Sequence, residues 1–269
     1  RAEAARLTSA GHVEIVLTGI HLGHYGRGLH PRVTPADAAR AVLAAPGLLR
    51  LRLSSIEALE LSDELLTLAA GGGEDRDDAG APALCPHFHL PLQSGDDAVL
   101  RAMNRRYTAA QYLDVLDRAR RRLDRPSFTT DVMVGFPGET EAAFENTLLL
   151  CRRAGFSRIH IFPFSPRPGT PAAERPGRVA PEVLRGRVGR LKTLADALAR
   201  DYRRQFLGEV VHPLIEHRRD RATRLLTGWT ARYVKTIVAG PDEWKGRLQP
   251  VRVSDLRAGG FLGVALPPK

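Results

Sequence analysis

Cysteine is scarce in this 269-residue chain, with Cys85 and Cys151 the whole supply. Two thiols so far apart exclude a disulfide framework and fit a reducing cytoplasm. No apolar run approaches the roughly 20 residues of a membrane-spanning helix, and no signal peptide is expected. No Gly-x-Gly-x-x-Gly follows a strand, which argues against a nicotinamide enzyme, and Gly26-Arg-Gly28 is too short to replace it. A Walker-type glycine loop is absent. Ser94 sits in Gln93-Ser-Gly95 rather than Gly-x-Ser-x-Gly, which argues against hydrolase chemistry.

What the chain has in excess is positive charge, +10 overall. Residues 206–269 hold 11 Lys/Arg against 6 Asp/Glu, so a quarter of the chain carries half the excess. Such a balance points to an anionic partner, nucleic acid first.

Hydrophobic periodicity divides the chain in two. Strands are expected at 13–17, 49–54, 87–92, 128–134 and 158–164, separated by helices at 35–45, 61–70, 96–123 (with a pause near 104–107) and 141–154. A long basic helix follows over 182–206. Thr108 and Thr140 are expected helix caps, and Gly155 a helix end. Strands alternating with helices imply an α/β fold with a parallel sheet. An eight-fold barrel needs more units, so an open, partial β/α barrel is expected. Beyond residue 206 the pattern changes to short strands at 210–215, 233–238, 248–253 and 261–266, with Gly, Pro and Asp turns between them. That reads as a small all-β barrel. The expected domains are therefore 1–205 and 206–269. The stretch 71–80 is low in complexity and is read as a surface loop without chemistry.

Small and polar residues recur at the carboxyl ends of the strands: Thr18 and Gly19, Ser54 and Ser55, Gln93 and Ser94, and Gly135. That rim is where parallel α/β sheets bind ligands. Gly135 and Gly138 are expected to leave room against the backbone. Arg101, Arg105 and Arg106 follow one strand end and suit a carboxylate or phosphate. Cys85, His87 and His89 alternate and so share a strand face, but Pro86 interrupts them and no fourth ligand is near. They are read as polar lining of the barrel mouth, as are His21 and His24, and no metal site is assigned.

Three motifs occur in order: Pro91-Leu-Gln-Ser-Gly95 with Met103-Asn-Arg105, Asp131-Val-Met-Val-Gly-Phe-Pro-Gly-Glu139, and Ser165-Pro-Arg-Pro-Gly-Thr170. Together they resemble the radical S-adenosylmethionine methylthiotransferases, and the basic tail resembles their RNA-binding TRAM domain. Leu17-Thr-Gly-Ile-His-Leu-Gly-His-Tyr-Gly26 and Cys85-Pro-His-Phe-His-Leu-Pro-Leu-Gln-Ser-Gly95 are most similar to the branch that modifies N6-threonylcarbamoyladenosine beside the tRNA anticodon. Sister branches act on isopentenyladenosine or on a ribosomal protein.

The resemblance implies a [4Fe-4S] cluster that cleaves S-adenosylmethionine, a second cluster that helps deliver sulfur, and tRNA as partner. The sulfur donor is left unassigned. Carried over by motif, Gly19, Gln93, Ser94 and Gly135 would line the S-adenosylmethionine pocket, Asp131 would support its strand, and Phe162 would flank the adenine. Arg105 would meet the methionine carboxylate. Arg218, Arg232, Tyr233 and Lys235 would contact tRNA, with Tyr233 stacking on a base.

One departure stands out. The family's Cys-x-x-x-Cys-x-x-Cys is not in this chain, and thiolates are what hold such a cluster. The chain is therefore expected to be a carboxyl-terminal portion, starting mid-protein, that folds but is inactive by itself. The rival expectation is a non-catalytic RNA-binding protein on a degenerate barrel.

Overall fold

The computed structural model describes residues 1–70 and 83–266; the low-complexity stretch 71–80 falls outside them. After α1 (Ala2–Ser9) come β1 (Glu14–Leu17), α2 (Pro35–Leu43), β2 (Arg50–Leu53), α3 (Asp63–Ala70) and β3 (Ala83–Leu84). The three strands pair in parallel. Local chemistry sets the helix starts: Thr34 and Asp37 form a reciprocal capping box, and the Ser62 hydroxyl accepts from the Leu65 amide at 3.3 Å.

A second parallel set comprises β4 (His87–His89), β5 (Ser127–Val134) and β6 (Arg158–Pro163). Between them run α4 (Asp97–Ala102), α5 (Ala109–Arg122) and α6 (Glu141–Ala154). Their caps are the Asp96 carboxylate, the Thr108–Gln111 box and the Thr140 hydroxyl, and Gly155 closes α6 at φ 55°. Pro86 lacks an N–H and breaks one strand into β3 and β4. The two sets still adjoin, because Cys85 donates its amide to the Leu51 carbonyl and Ser55 bridges His89 in parallel. Each strand thus lies beside its sequence neighbours, as an arc of a β/α barrel requires.

Period-2 alternation assigns the two faces of this arc. Leu51, Leu53, Phe88, Phe128, Val132 and Ile159 share one core with Leu65, Tyr112, Leu116, Phe144 and Leu148 of the helices. The opposite face holds Glu14, Arg50, Arg52, His87, His89, Thr129, Asp131, Arg158 and His160. A filled barrel interior is mostly branched aliphatics. This one is polar, which suits a chamber.

α7 (Pro171–Glu174) and α8 (Pro181–Arg204) lead to β7 (Val210–Val211), β8 (Leu214–Arg219), β9 (Leu226–Trp229), β10 (Lys235–Val238), β11 (Val251–Arg257) and β12 (Gly260–Ala265). These strands form one sheet in the order β7-β11-β12-β10-β9-β8. It closes on itself, since Ile215 donates to the Arg247 carbonyl and Gln249 to the Pro213 carbonyl just ahead of β11. Closure removes the free edge. The sequence expectation of four strands misses the β8–β9 hairpin, because Glu216-His-Arg-Arg219 is too polar to read as a strand. The second core joins Val211, Ile215, Leu226, Val251 and Phe261 to Tyr202 and Phe206, so the last turn of α8 is rooted in the β-module.

The β-module is not merely tethered to the α/β part. The Arg52 guanidinium donates to the carbonyls of Thr230 (3.1 Å) and Ala231 (3.0 Å) and to Glu14 (3.0 Å). Arg50 donates to the carbonyls of Trp229 and His212. Tyr233 stacks on His87 with ring centroids 4.8 Å apart. Residues 230–233 therefore form a floor under the polar chamber.

His87 belongs to that floor. It is 4% exposed, and burial, then Arg52 and His89, holds its imidazole well below the usual histidine range. The folded state thus keeps His87 neutral, while the unfolded chain takes up a proton below about pH 6.5. This contribution to stability is present above that pH and is lost as pH falls. Urea melts between pH 7.5 and 5 are expected to lose up to about 1.4 kcal/mol per pH unit below 6.5, and His87→Gln to flatten that slope. An equal slope in both proteins would refute the assignment.

Candidate active site

The chamber opens at the carboxyl ends of the strands. Its apolar surface is uncovered there: Val16 of β1 is 52% exposed, Phe162 of β6 is 49% exposed, and Ile20 beyond β1 is fully exposed. Isolated apolar side chains on a surface are ordinary, but these flank a polar interior.

Three side chains meet in the upper layer. His89 Nε2 lies 3.4 Å from Asp131 Oδ2, and the ring of His160 meets that of His89 edge-on at 5.8 Å. Each offers one ligand atom, all within 4.8 Å of one another. The Thr129 hydroxyl, 2.9 Å from His89 Nδ1, orients that ring. Burial, then Arg158, lowers the pKa of His160. The layer holds one carboxylate between two imidazoles, suited to hydrogen-bonding a polyhydroxylated or heterocyclic ligand. His160 was not singled out from sequence, although the alternation Arg158-Ile-His-Ile-Phe162 carried the signal. His21 and His24 gather on the Glu60 carboxylate, each with Nε2 3.0 Å from Oε1.

Gln93 sits at the rim in a left-handed conformation, φ 65°. Its amide donates to the Asp131 carbonyl (2.8 Å), and its own carbonyl accepts from Met133 (2.9 Å). The Tyr107 hydroxyl donates to Leu92 O, and the Thr130 hydroxyl accepts from Leu92 N. Those bonds stabilise a backbone state that costs a non-glycine residue about 1 kcal/mol or more. Arg105, just after Asn104 at φ 56°, pairs with Glu57 at 2.6 Å beyond the tip of β2. Glu57 was also missed, since a single acid after Ser54-Ser-Ile56 has no local signature.

Several expected site residues lie elsewhere. Ser94 is fully buried, its hydroxyl 3.4 Å from that of Thr147 on α6 and accepting from the Asp96 amide, so it braces α4 rather than lining the chamber. The room expected at Gly135 is already filled: a Cβ there would fall 2.6 Å from Leu184 Cδ1 of α8. Glycine is needed there because φ is +81°, and its amide donates to Glu139 at 2.9 Å. Gly135→Ala is expected to cost about 1–3 kcal/mol, read as a lowered melting temperature; an unchanged one would refute this account. Gly19 is exposed at the tip of β1.

Of the expected RNA contacts, Arg232 is 2% exposed and donates to the carbonyls of Asp124 and Arg125, so it cannot reach an outside phosphate. Tyr233 stacks on both His87 and Trp229 and stays 41% exposed. Lys235 lies 3.4 Å from Asp220 and stays partly exposed, and Arg218 is exposed on β8.

Comparison with known proteins adds to this geometry. Residues 47–151 match the Radical SAM superfamily model. The chain is 36% identical over 259 residues to the threonylcarbamoyladenosine tRNA methylthiotransferase MtaB of Bacillus subtilis, covering 96% of this chain and 55% of that protein. It is 36% identical over 260 residues to the MtaB of Thermotoga maritima, covering 97% and 56%. It is also 38% identical over 254 residues to the tRNA-2-methylthio-N(6)-dimethylallyladenosine synthase of Parafrankia sp., covering 93% and 50%. The chain spans about half the length of the curated relatives it matches.

Proposed function

From the premise that this chain is a radical SAM superfamily member related over most of its length to tRNA methylthiotransferases, we propose that it is part of an enzyme that adds a methylthio group to C2 of N6-threonylcarbamoyladenosine in tRNA. The observation that carries this reading is similarity running through both the α/β arc and the β-module, 96% of the chain.

The rim residues suit S-adenosylmethionine. Gln93 and Asp131 would hold the nucleoside, Arg105 the methionine carboxylate, Gly19 would let the backbone approach, and Phe162 would flank the adenine. Glu57, already paired with Arg105, would hold that guanidinium in place. When bound, one S-adenosylmethionine would supply the hydrogen-abstracting fragment and another the methyl group. The two thiols do not suit an iron–sulfur cluster. Both are buried, and burial pushes the Cys151 thiol up to about 12, leaving it protonated. This chain therefore would not hold a cluster by itself, and alone it would be inactive.

The β-module, taken as residues 206–269, would act as a TRAM-like RNA-binding domain, with Arg218 and Lys235 toward tRNA phosphates in the cytoplasm. No helix among the described residues is long and apolar enough to cross a membrane. Nucleoside mass spectrometry of tRNA from a strain lacking the intact gene tests the reading. Loss of methylthio-threonylcarbamoyladenosine supports it, and an unchanged profile refutes it. Loss of methylthio-dimethylallyladenosine instead would favour a second reading, which the 38% identity to the Parafrankia enzyme motivates.

A further inference from the structure

A cavity of about 380 Å³ lies where α8, the start of β6 and the β-module meet. It is far from the rim in the sense of the fold: Ser157, Arg158 and Ile159 line it from the amino-terminal end of β6, opposite the strand tips. Its volume falls in the range of small-molecule sites. Three cations border it, Arg158, Arg203 and Lys235, against one acid, Asp196. Arg203 is half-buried, with burial and then Arg200 disfavouring its charge, and its Nε has no hydrogen-bond partner. An anion held there would face three cations and one acid, and would offset the cost of crowding those cations together.

The aromatic side of the cavity is equally specific. His87, Tyr233 and Trp229 form a column of stacked rings, with centroid spacings of 4.8 and 4.5 Å. Trp229 ends it: among the described residues its one ring neighbour is Tyr233. Its indole N–H is held by Glu216 at 3.1 Å, which sets the plane of the ring. A terminal indole beside cations is how proteins stack a base and hold its phosphate.

We propose that this junction cavity binds a 5′-phosphorylated nucleotide, its base extending the ring column at Trp229 and its phosphate held by Arg158 and Arg203. This is a second ligand site, separate from the rim, and either a nucleotide of bound RNA or a free mononucleotide has the required chemistry.

Adenosine 5′-monophosphate, adenosine, inorganic phosphate and a single-stranded octaribonucleotide are titrated against the chain, with tryptophan fluorescence as readout. The monophosphate is expected to quench saturably, and adenosine and phosphate to bind at least tenfold more weakly. Arg158→Glu, at an exposed position, and Arg203→Gln are each expected to weaken the monophosphate at least tenfold. Each is also expected to lower the salt slope for the octamer by about 0.7, which a merely structural role would not do. Tighter binding of the octamer than of the monophosphate identifies RNA as the source; the reverse identifies a free nucleotide. No saturable quenching, or affinities unchanged in both variants, overturns the proposal. Intact tRNA binding alongside absent quenching would sink the cavity and leave the methylthiotransferase reading standing. Quenching retained without any tRNA binding would do the opposite.

Discussion

Arg52→Ala is expected to destabilise the chain by about 3–5 kcal/mol, the cost of removing one partner from a buried, hydrogen-bonded charge pair. Arg52 is 3% exposed and sits with its guanidinium over the Tyr233 ring at 4.9 Å. Its loss leaves the carbonyls of Thr230 and Ala231 and the Glu14 carboxylate without their donor on the chamber floor. Unpaired buried acceptors carry their full desolvation cost. In thermal unfolding followed by circular dichroism this corresponds to a drop of roughly 10 °C. Arg52→Lys keeps the charge but not the fork, so it should recover only part of the loss. Arg121→Ala, on the exposed face of α5, is the control and should stay within about 0.5 kcal/mol. If Arg52→Ala behaves like that control, the β-module is not held to the arc by this side chain.

The second large effect is on activity. If Arg105 meets the cofactor carboxylate and the intact protein is a methylthiotransferase, as proposed above, Arg105→Leu is expected to lower kcat/KM for methylthiolation by at least about 100-fold, because that positioning clamp would be lost. Stability should hardly change. Arg105 and Glu57 are 27% and 32% exposed, and a pair that open to water contributes about 1 kcal/mol or less. That contrast separates the two roles: lost activity at an unchanged melting temperature marks a cofactor contact, and a parallel fall in both marks a structural ion pair. Retained activity in Arg105→Leu would remove Arg105 from the site.

Much of the α/β arc was legible because its signals are local. Thr108 and Thr140 write helix caps, and Gly155 writes a helix end; β3, only Ala83–Leu84, is too short to be written locally. The rim followed from the same signals, since a strand's carboxyl end is known once its direction is. Which rim side chains face the chamber was harder. Ser94 and Gln93 are neighbours, yet the left-handed turn at Gln93 sends the serine under α6, to the Thr147 hydroxyl and the Asp96 amide. Gly135 looked like an opening, and Leu184, 49 residues later, fills it.

The β-module shows the same division most sharply. Its excess of positive charge is a property of composition, and it was visible without coordinates. How those charges are used depends on partners far away in the chain: Arg232 donates to carbonyls at positions 124 and 125, and its neighbour Tyr233 stacks on a histidine of β4. By itself the sequence determined the elements, their order and the sign of the charge, because propensity, capping and alternation act within a few residues. Only the tertiary structure decided which cations are left for a ligand, because pairing and burial of a guanidinium are set by atoms that folding brings to it.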